Sequence, residues 1–253
     1  EVLYPTEEIT GRVDDNYTTQ NRLEEINANS KVQYDLVTDE VLNKTGQMTV
    51  DTIYVVYEYR KAPGIIKIEH KDIDTKEDLI EQETRNGYVG EEYTTENKLD
   101  EINIAYDNKY ELVSEPENKN GEYKREEQIV TYYYQKKLGE VEVNYLEVGT
   151  EKILAKQEIT QDKVDNKYTT VNKLDEINKE YENKYEFVNT TGAQTEGIYK
   201  LEKQVVNYYY QKKQAKVKVL HVLEGTDVSS PESVTEVLYP TEEITGRVDD
   251  NYT

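Results

Sequence analysis

The sequence predicts an α+β protein, a tandem array of small modules that each carry one helix on a mixed sheet. Three observations lead there. Short motifs recur in a fixed order about every 75 residues. Segments of strict apolar–polar alternation flank each copy, the mark of half-buried strands. Between them lies one stretch with apolar residues at i, i+3 and i+7, the mark of a helix.

The repeats come first, because they set the domain count. Tyr-Thr-Thr begins at Tyr17, Tyr93 and Tyr168, and Tyr252-Thr253 opens a fourth copy. Leu-(Glu/Asp)-Glu-Ile-Asn follows at Leu23, Leu99 and Leu174, then a Tyr-x-(Leu/Phe)-Val segment at Tyr34, Tyr110 and Tyr185. Each copy closes on an aromatic run at Tyr57, Tyr132 or Tyr208. This order predicts a module over 1–61 that lacks its first strand, complete modules over 64–137 and 139–213, and the start of another over 215–253.

A longer period is superimposed. Residues 236–253 repeat residues 1–18 without a change, at an offset of 235. The chain is then either a window onto an array of three-module super-repeats or a unit that polymerises head to tail. The duplication favours the array, since a complementing strand needs no redundant copy of what it meets.

Within a module the elements follow in order. Val141, Val143 and Tyr145 share one face of an opening strand, and Ile66, Ile68, His70 and Val217, Val219, His221 align with them. A second strand is expected over Ile153–Thr160. Leu99, Ile102, Tyr106 and Leu174, Ile177, Tyr181 then predict helices, the latter in a charged helical stretch reaching from Leu174 to Lys184. Either Thr95 or Asn97 can cap the helix, and Asp100 in its first turn suits the helix dipole. Asn108 and Asn183 are helix stops, because Asn tolerates the left-handed conformation. In the closing strand Val130, Tyr132 and Tyr134 fall on one face, matched by Val55, Tyr57 and Tyr59. The intervening Tyr133 aligns with Glu58, which places that side toward solvent or a neighbouring module. A unit this small is marginal alone. Linkers as short as Lys136-Lys137-Leu138 and Lys212-Lys213-Gln214 predict a semi-rigid rod.

Composition removes several function classes. Fifty-three acidic residues against 31 basic ones leave a net charge of −22, which repels nucleic acid. Cysteine is absent, so disulfides and thiolate chemistry are excluded. No apolar run is long enough to insert in a membrane. Leu, Ile, Val and Phe supply only 58 of 253 residues. The 24 tyrosines compensate, each burying a large ring and keeping its hydroxyl wet. No leader or anchor is seen, but the chain starts and stops in mid-pattern, so that says little about the parent protein.

Together these motifs resemble the MucBP (mucin-binding protein) repeat of Gram-positive bacterial surface proteins. The matching segments are Val141-Glu-Val-Asn-Tyr, Tyr168-Thr-Thr, Tyr185-Glu-Phe-Val and Val206-Asn-Tyr-Tyr-Tyr-Gln-Lys. The resemblance implies a ubiquitin-like (β-grasp) fold and an extracellular, cell-wall-attached adhesin, some of whose relatives bind mucin glycans. The helical stretch Leu174–Lys184 replaces the family's usual Ile-Pro-Gly-Tyr approach to the third strand.

Chemistry has little to work with. His70 and His221 occupy a strand position that Tyr145 fills elsewhere, which reads as structural, and no catalytic residue is assigned. Asp72, Asp74, Glu77 and Asp78 form an oxygen cluster of the kind that suits calcium. Their equivalents Glu147, Gly149, Lys152 and Ile153 do not keep it, so no metal or cofactor is assigned. Lys67 aligns opposite Thr131, and Asn207 lies in the module that carries Glu142, which supplies no Lys–Asn pair for a covalent cross-link. Tyr133 and Tyr209 are the candidates for stacking on sugars, the alternative being that they cover the outer face or pack at a junction. The expected function is a stalk or fibre region of a surface adhesin. Neighbouring modules and host mucin glycans are the expected partners. Two alternatives stay open: modules acting as weak lectins through multivalency, and a self-assembling filament subunit.

Overall fold

The computed structural model describes residues 2–252, which divide into two compact units split between Lys136 and Lys137. Glu1 and Thr253, and with Thr253 the end of the fourth Tyr-Thr-Thr copy, lie outside the described residues.

In the first unit, Pro63–Asp72 and Gln128–Lys136 form the centre of a four-stranded sheet, with Glu83–Tyr88 and Tyr110–Ser114 at its edges. The two central strands run parallel, with Val130 opposite Ile68 and Tyr132 opposite His70. Both edge strands are antiparallel to their neighbours. The helix Leu99–Ala105 buries Ile102 against this sheet, and the short strands Glu92–Thr94 and Asn120–Glu122 pair beside it. In the second unit Leu138–Glu147, Ile153–Lys163, Tyr185–Gly192 and Gln204–Lys212 repeat the same strand order, with the helix Leu174–Glu180 burying Ile177. A hairpin of Gln214–His221 and Tyr239–Arg247 follows.

Alternation dictates the core. Ile66, Ile68, Val130, Tyr132 and Tyr134 are inaccessible to solvent or nearly so, while Ile65, Ile129 and Tyr133 point the other way. Val141, Val143, Tyr145, Val206 and Tyr210 do the same in the second unit. The core tyrosines differ from the sequence expectation in one respect: their hydroxyls are not wet. Tyr132 reaches Thr95 Oγ1 at 2.9 Å, and the Tyr134 hydroxyl accepts the Lys98 amide at 2.9 Å. Burial pushes the Tyr134 hydroxyl up to about 12. Among the described residues no buried side-chain nitrogen or oxygen lacks a partner. A tyrosine whose ring spans the whole thickness of so small a core delivers its oxygen to the opposite wall, where it must be bonded.

These bonds explain the motifs. The last threonine of each Tyr-Thr-Thr holds the first closing-strand tyrosine: Thr19 with Tyr57 at 2.9 Å and Thr170 with Tyr208 at 2.8 Å. The next tyrosine takes the amide just ahead of the helix, as with Arg22 and Tyr59 at 2.9 Å. Thr95 is therefore a core residue, and Asn97 is the one that accepts from the helix start, at the Leu99 amide 3.2 Å away. The motif asparagine has its own task. Asn178 accepts the Tyr185 amide at 2.8 Å and donates to the Tyr185 carbonyl at 3.0 Å, clasping the third strand to the helix.

Four expectations need correction. The helix stops at Glu180 and does not reach Lys184, because Glu182 and Asn183 are both left-handed, with φ of 54° and 61°. That reversal brings Tyr185 back into the sheet, and Asn108 serves the same role at φ 60°. The second strand runs on to Lys163, past Thr160. Lys67 lies opposite Ile129, and Asn207 opposite Asn144, two residues from the alignment-based pairing, because the parallel register is offset. Finally, Val55 and Tyr57 are not in a strand; only Tyr59–Lys61 is. Among the described residues, no strand lies beside Val55 as Ile68 does beside Val130.

A neighbouring strand also decides a second case. Tyr239–Arg247 is a strand, yet the identical residues 4–12 form none. The hairpin partner Gln214–His221 accounts for the difference, since strand backbone groups must be paired from outside the segment.

Candidate functional site

Each closing strand turns two faces in different directions. Tyr133 and Tyr209 lie on the face away from the helix and are half-buried, not fully exposed. Tyr133 stands opposite Lys71 on one side and Ser114 on the other, and the Lys76 ammonium sits 4.6 Å from its ring centre. Tyr209 stands opposite Leu146 and Asn189. Their shared register puts them at the same place on two homologous sheets.

Beside exposed Ile65 and Ile129, this face carries a bonded polar ladder. In the first unit Lys71 pairs with Asp78 at 2.9 Å, and Glu69 accepts from Thr131 at 3.1 Å and from Gln82 at 2.9 Å. In the second, Lys203 bridges Glu140 and Glu142 at 2.9 and 2.6 Å, and Asn144 donates to Asn207 at 3.0 Å. The Lys203 ammonium holds both carboxyls below their ordinary range. Such a face offers an aromatic edge surrounded by donors and acceptors, which suits a polar ligand with a flat apolar side.

The remaining candidates are absorbed by the fold. His70 is stacked on Tyr132 with ring centres 5.2 Å apart, and its Nδ1 lies 2.8 Å from the Tyr134 hydroxyl. That hydroxyl also accepts the Lys98 amide, so one phenol oxygen ties the imidazole to the helix entry. His221 is exposed beside Tyr239. Asp72 accepts the amides of Asp74 and Thr75 and the Tyr110 hydroxyl. Burial alone would raise its carboxyl, but these bonds outweigh it and the net shift is downward. No group of three or more metal-ligating side chains occurs among the described residues.

Residues at the module joints were not singled out by sequence. In the first unit the amides and carbonyls of Gln33, Ala62 and Val89 form a closed triangle of 2.9 Å bonds. In the second, Lys213 donates to Lys184 at 2.8 Å and Val248 to Lys213 at 3.0 Å. The next residue is left-handed each time, Gly90 at φ 91° and Asp249 at φ 68°. The Asp249 carboxylate lies 3.3 Å from the Lys184 ammonium and 3.2 Å from that of Lys212. Shallow hollows of about 340 and 230 Å³ open at these joints, lined mainly by charged side chains and backbone. The signal was present as Val13-Asp14, Val89-Gly90, Val164-Asp165 and Val248-Asp249, a valine followed by Asp in three copies and by Gly in the fourth.

Small helix-on-sheet units in tandem, with aromatic edges outside and no cluster of reactive groups among the described residues, define a modular repeat protein. The MucBP domain model matches residues 1–60, 66–135 and 140–211, and the chain belongs to that family. It is 33% identical over 220 residues to Internalin J of Listeria monocytogenes serotype 4b (strain F2365). The match covers 83% of this chain and 21% of that protein. Internalin J of serovar 1/2a (strain ATCC BAA-679 / EGD-e) matches at the same identity, with 23% of its length covered. The chain thus spans less than a quarter of these curated relatives. Among solved structures it is similar to Mub-RV at a TM-score of 0.24 and 10% identity, covering 59% of this chain and 99% of that one. The type 2 repeat of the mucus binding protein MUB from Lactobacillus reuteri gives 0.23 and 10%, covering 59% of this chain and all of that one.

Proposed function

We propose that this chain is a repeat region of a surface adhesin of a Gram-positive bacterium, exposed outside the cell and without enzymatic activity. The observation that carries this reading is the succession of three MucBP matches in one chain that also resembles Internalin J. Modules over 1–61, 64–137, 139–213 and 215–253 then project a tip as a rod, a reading supported by linkers of a few residues. A β-grasp module is supported by the central parallel pair, the antiparallel edges and the single helix on one face.

The proposed contact with host mucin glycans is through the outer sheet faces at Tyr133 and Tyr209. Each site alone is expected to be weak, and two on one chain gain by effective concentration. Binding of the chain to immobilised mucin tests this. The double variant Tyr133→Ala/Tyr209→Ala should lose most of the signal, and either single variant should lose more than half. Equal binding by wild type and double variant, with unfolding curves unchanged, would show that these faces do not contact the glycan.

A further inference from the structure

In each complete module the first and last strands are neighbours, and they run parallel. Pro63–Asp72 faces Gln128–Lys136, and Leu138–Glu147 faces Gln204–Lys212, with seven residue pairs in register in both. One further bond closes each ladder, from the Ile73 amide to the Tyr134 carbonyl at 2.8 Å and from the Val148 amide to the Tyr210 carbonyl at 2.9 Å. The chain therefore enters a module at one end of this ladder and leaves it at the other. Tension along the chain draws the first strand back toward its start and the last strand on toward its end. That displacement is a shear. Every ladder bond lies across it, so the bonds resist together and none is peeled ahead of the rest. The edge strands lie outside this line of force.

Side chains brace the same two strands, and the two modules do so with different residues at matching positions. Lys67 bonds Glu127 at 2.8 Å; Glu142, in the place of Lys67, bonds Lys203 at 2.6 Å with the charges exchanged. Two residues on, Glu69 accepts from its register partner Thr131 at 3.1 Å, and Asn144 donates to its register partner Asn207 at 3.0 Å. On the inner face the next register pair is stacked in both modules. His70 lies on Tyr132 with ring centres 5.2 Å apart, and Tyr145 lies on Tyr208 at 5.6 Å. Three positions thus keep a contact between first and last strands while the residues that make it change. The two outer pairs lie on the solvent side, where an ion pair adds little to equilibrium stability. Their common property is that each ties the strand that takes up load to the strand that passes it on.

We infer that the parallel pair of terminal strands is a load-bearing clamp, braced by these side chains, which lets each complete module carry tension along the chain without opening. Resistance to force is set by the rate of unfolding and not by equilibrium stability. A small core that is marginal by area is then no obstacle, since shear requires all the ladder bonds to fail in one step. The inference deepens the reading of this chain as a stalk, because a stalk held at both ends is loaded in this direction.

Single-molecule pulling on the full chain tests it. Attachment through Leu138→Cys and Lys213→Cys, in a chain with no other cysteine, loads the ladder in shear. Attachment through Leu138→Cys and Lys163→Cys, which face each other at one end of an antiparallel pair, peels the sheet bond by bond. At equal loading rate the shear geometry should need about twice the force or more, although the denaturant midpoints of the two chains agree. Glu142→Lys should lower the shear force alone, and Glu142→Lys/Lys203→Glu should restore it, since the module over 64–137 has that order of charges. Equal forces in the two geometries would overturn the inference, and so would a shear force that Glu142→Lys leaves unchanged. Mucin binding is read in a separate assay, so the clamp and the adhesin reading fail independently.

Discussion

The Thr95 side-chain oxygen lies 2.9 Å from the Tyr132 hydroxyl, both inside the core, and this pair recurs in every module that contains the Tyr-Thr-Thr motif in full. Thr95 also donates to the Lys119 carbonyl at 3.1 Å, so one hydroxyl joins the helix entry, the short hairpin and the central strand. A buried phenol deprived of its partner costs more than the bond itself contributes.

Thr95→Val keeps the shape and removes the oxygen. It should destabilise the module by about 1–3 kcal/mol, the cost of an unpaired buried hydroxyl. Thr94→Val, at an exposed position beside it, should change little. Urea unfolding of the two variants separates these outcomes. Equal midpoints would show that the Thr95 oxygen contributes nothing.

Asn178 holds both backbone groups of Tyr185, and Tyr185 is itself 1% exposed. Asn178→Ala leaves the amide and carbonyl unmatched at the helix–sheet junction and should cost about 2 kcal/mol or more. Amide hydrogen exchange should show faster exchange at Tyr185 and its strand neighbours, while residues 63–136 remain unaffected.

His70 gives the first unit an acid sensitivity. Burial, reinforced by the Lys98 charge and opposed by Glu83 and Glu101, lowers its pKa below the ordinary 6.5. The unfolded chain then binds a proton at a pH where the folded one does not. Stability from this group is complete above about 6.5 and falls as the pH drops toward the folded-state value. His70→Tyr copies the arrangement of Tyr145, whose hydroxyl reaches Glu158 at 3.0 Å; Glu83 is the equivalent carboxylate. The variant should keep its melting temperature between pH 7 and about pH 5.5 better than wild type. Parallel losses in both proteins would remove His70 as the cause.

Gly90 is the joint residue at which a side chain cannot be accommodated. A β-carbon there would overlap the Lys31 carbonyl oxygen, and the backbone is left-handed at φ 91°. Gly90→Ala should open the triangle of Gln33, Ala62 and Val89, with a penalty of about 1–3 kcal/mol. Gly149→Ala, left-handed at φ 78° but with open space around it, isolates the backbone component. Exchange rates of the Gln33 and Val89 amides should rise in the first variant only.

Much of the fold was legible because it is written in periodicity. Ile66, Ile68 and His70 alternate, and so do Val130, Tyr132 and Tyr134; both sets are buried. Asn108 and Asn183 read as helix stops and are left-handed. The outward side of Tyr133 followed from its alignment with Glu58, but its partial burial did not, because the Lys76 that covers it comes from a turn distant in sequence. The joints were missed for a similar reason. Their bonds run between backbone groups of Gln33, Ala62 and Val89, and backbone groups leave no signature in residue type.

Sequence alone determined the period, the inward face of each strand, the single helix per module and the duplication of residues 1–18 at 236–253. Those features depend on side-chain order along the chain, which is local information. Tertiary structure decided which tyrosine hydroxyl meets which threonine, where the helix ends, and whether a given segment is a strand at all. Residues 4–12 and 239–247 are the same nine letters, extended and paired at one end of the chain and unpaired at the other. Alternation supplies a strand's faces, whereas its amide and carbonyl groups need a neighbour, and only the folded molecule determines where that neighbour is.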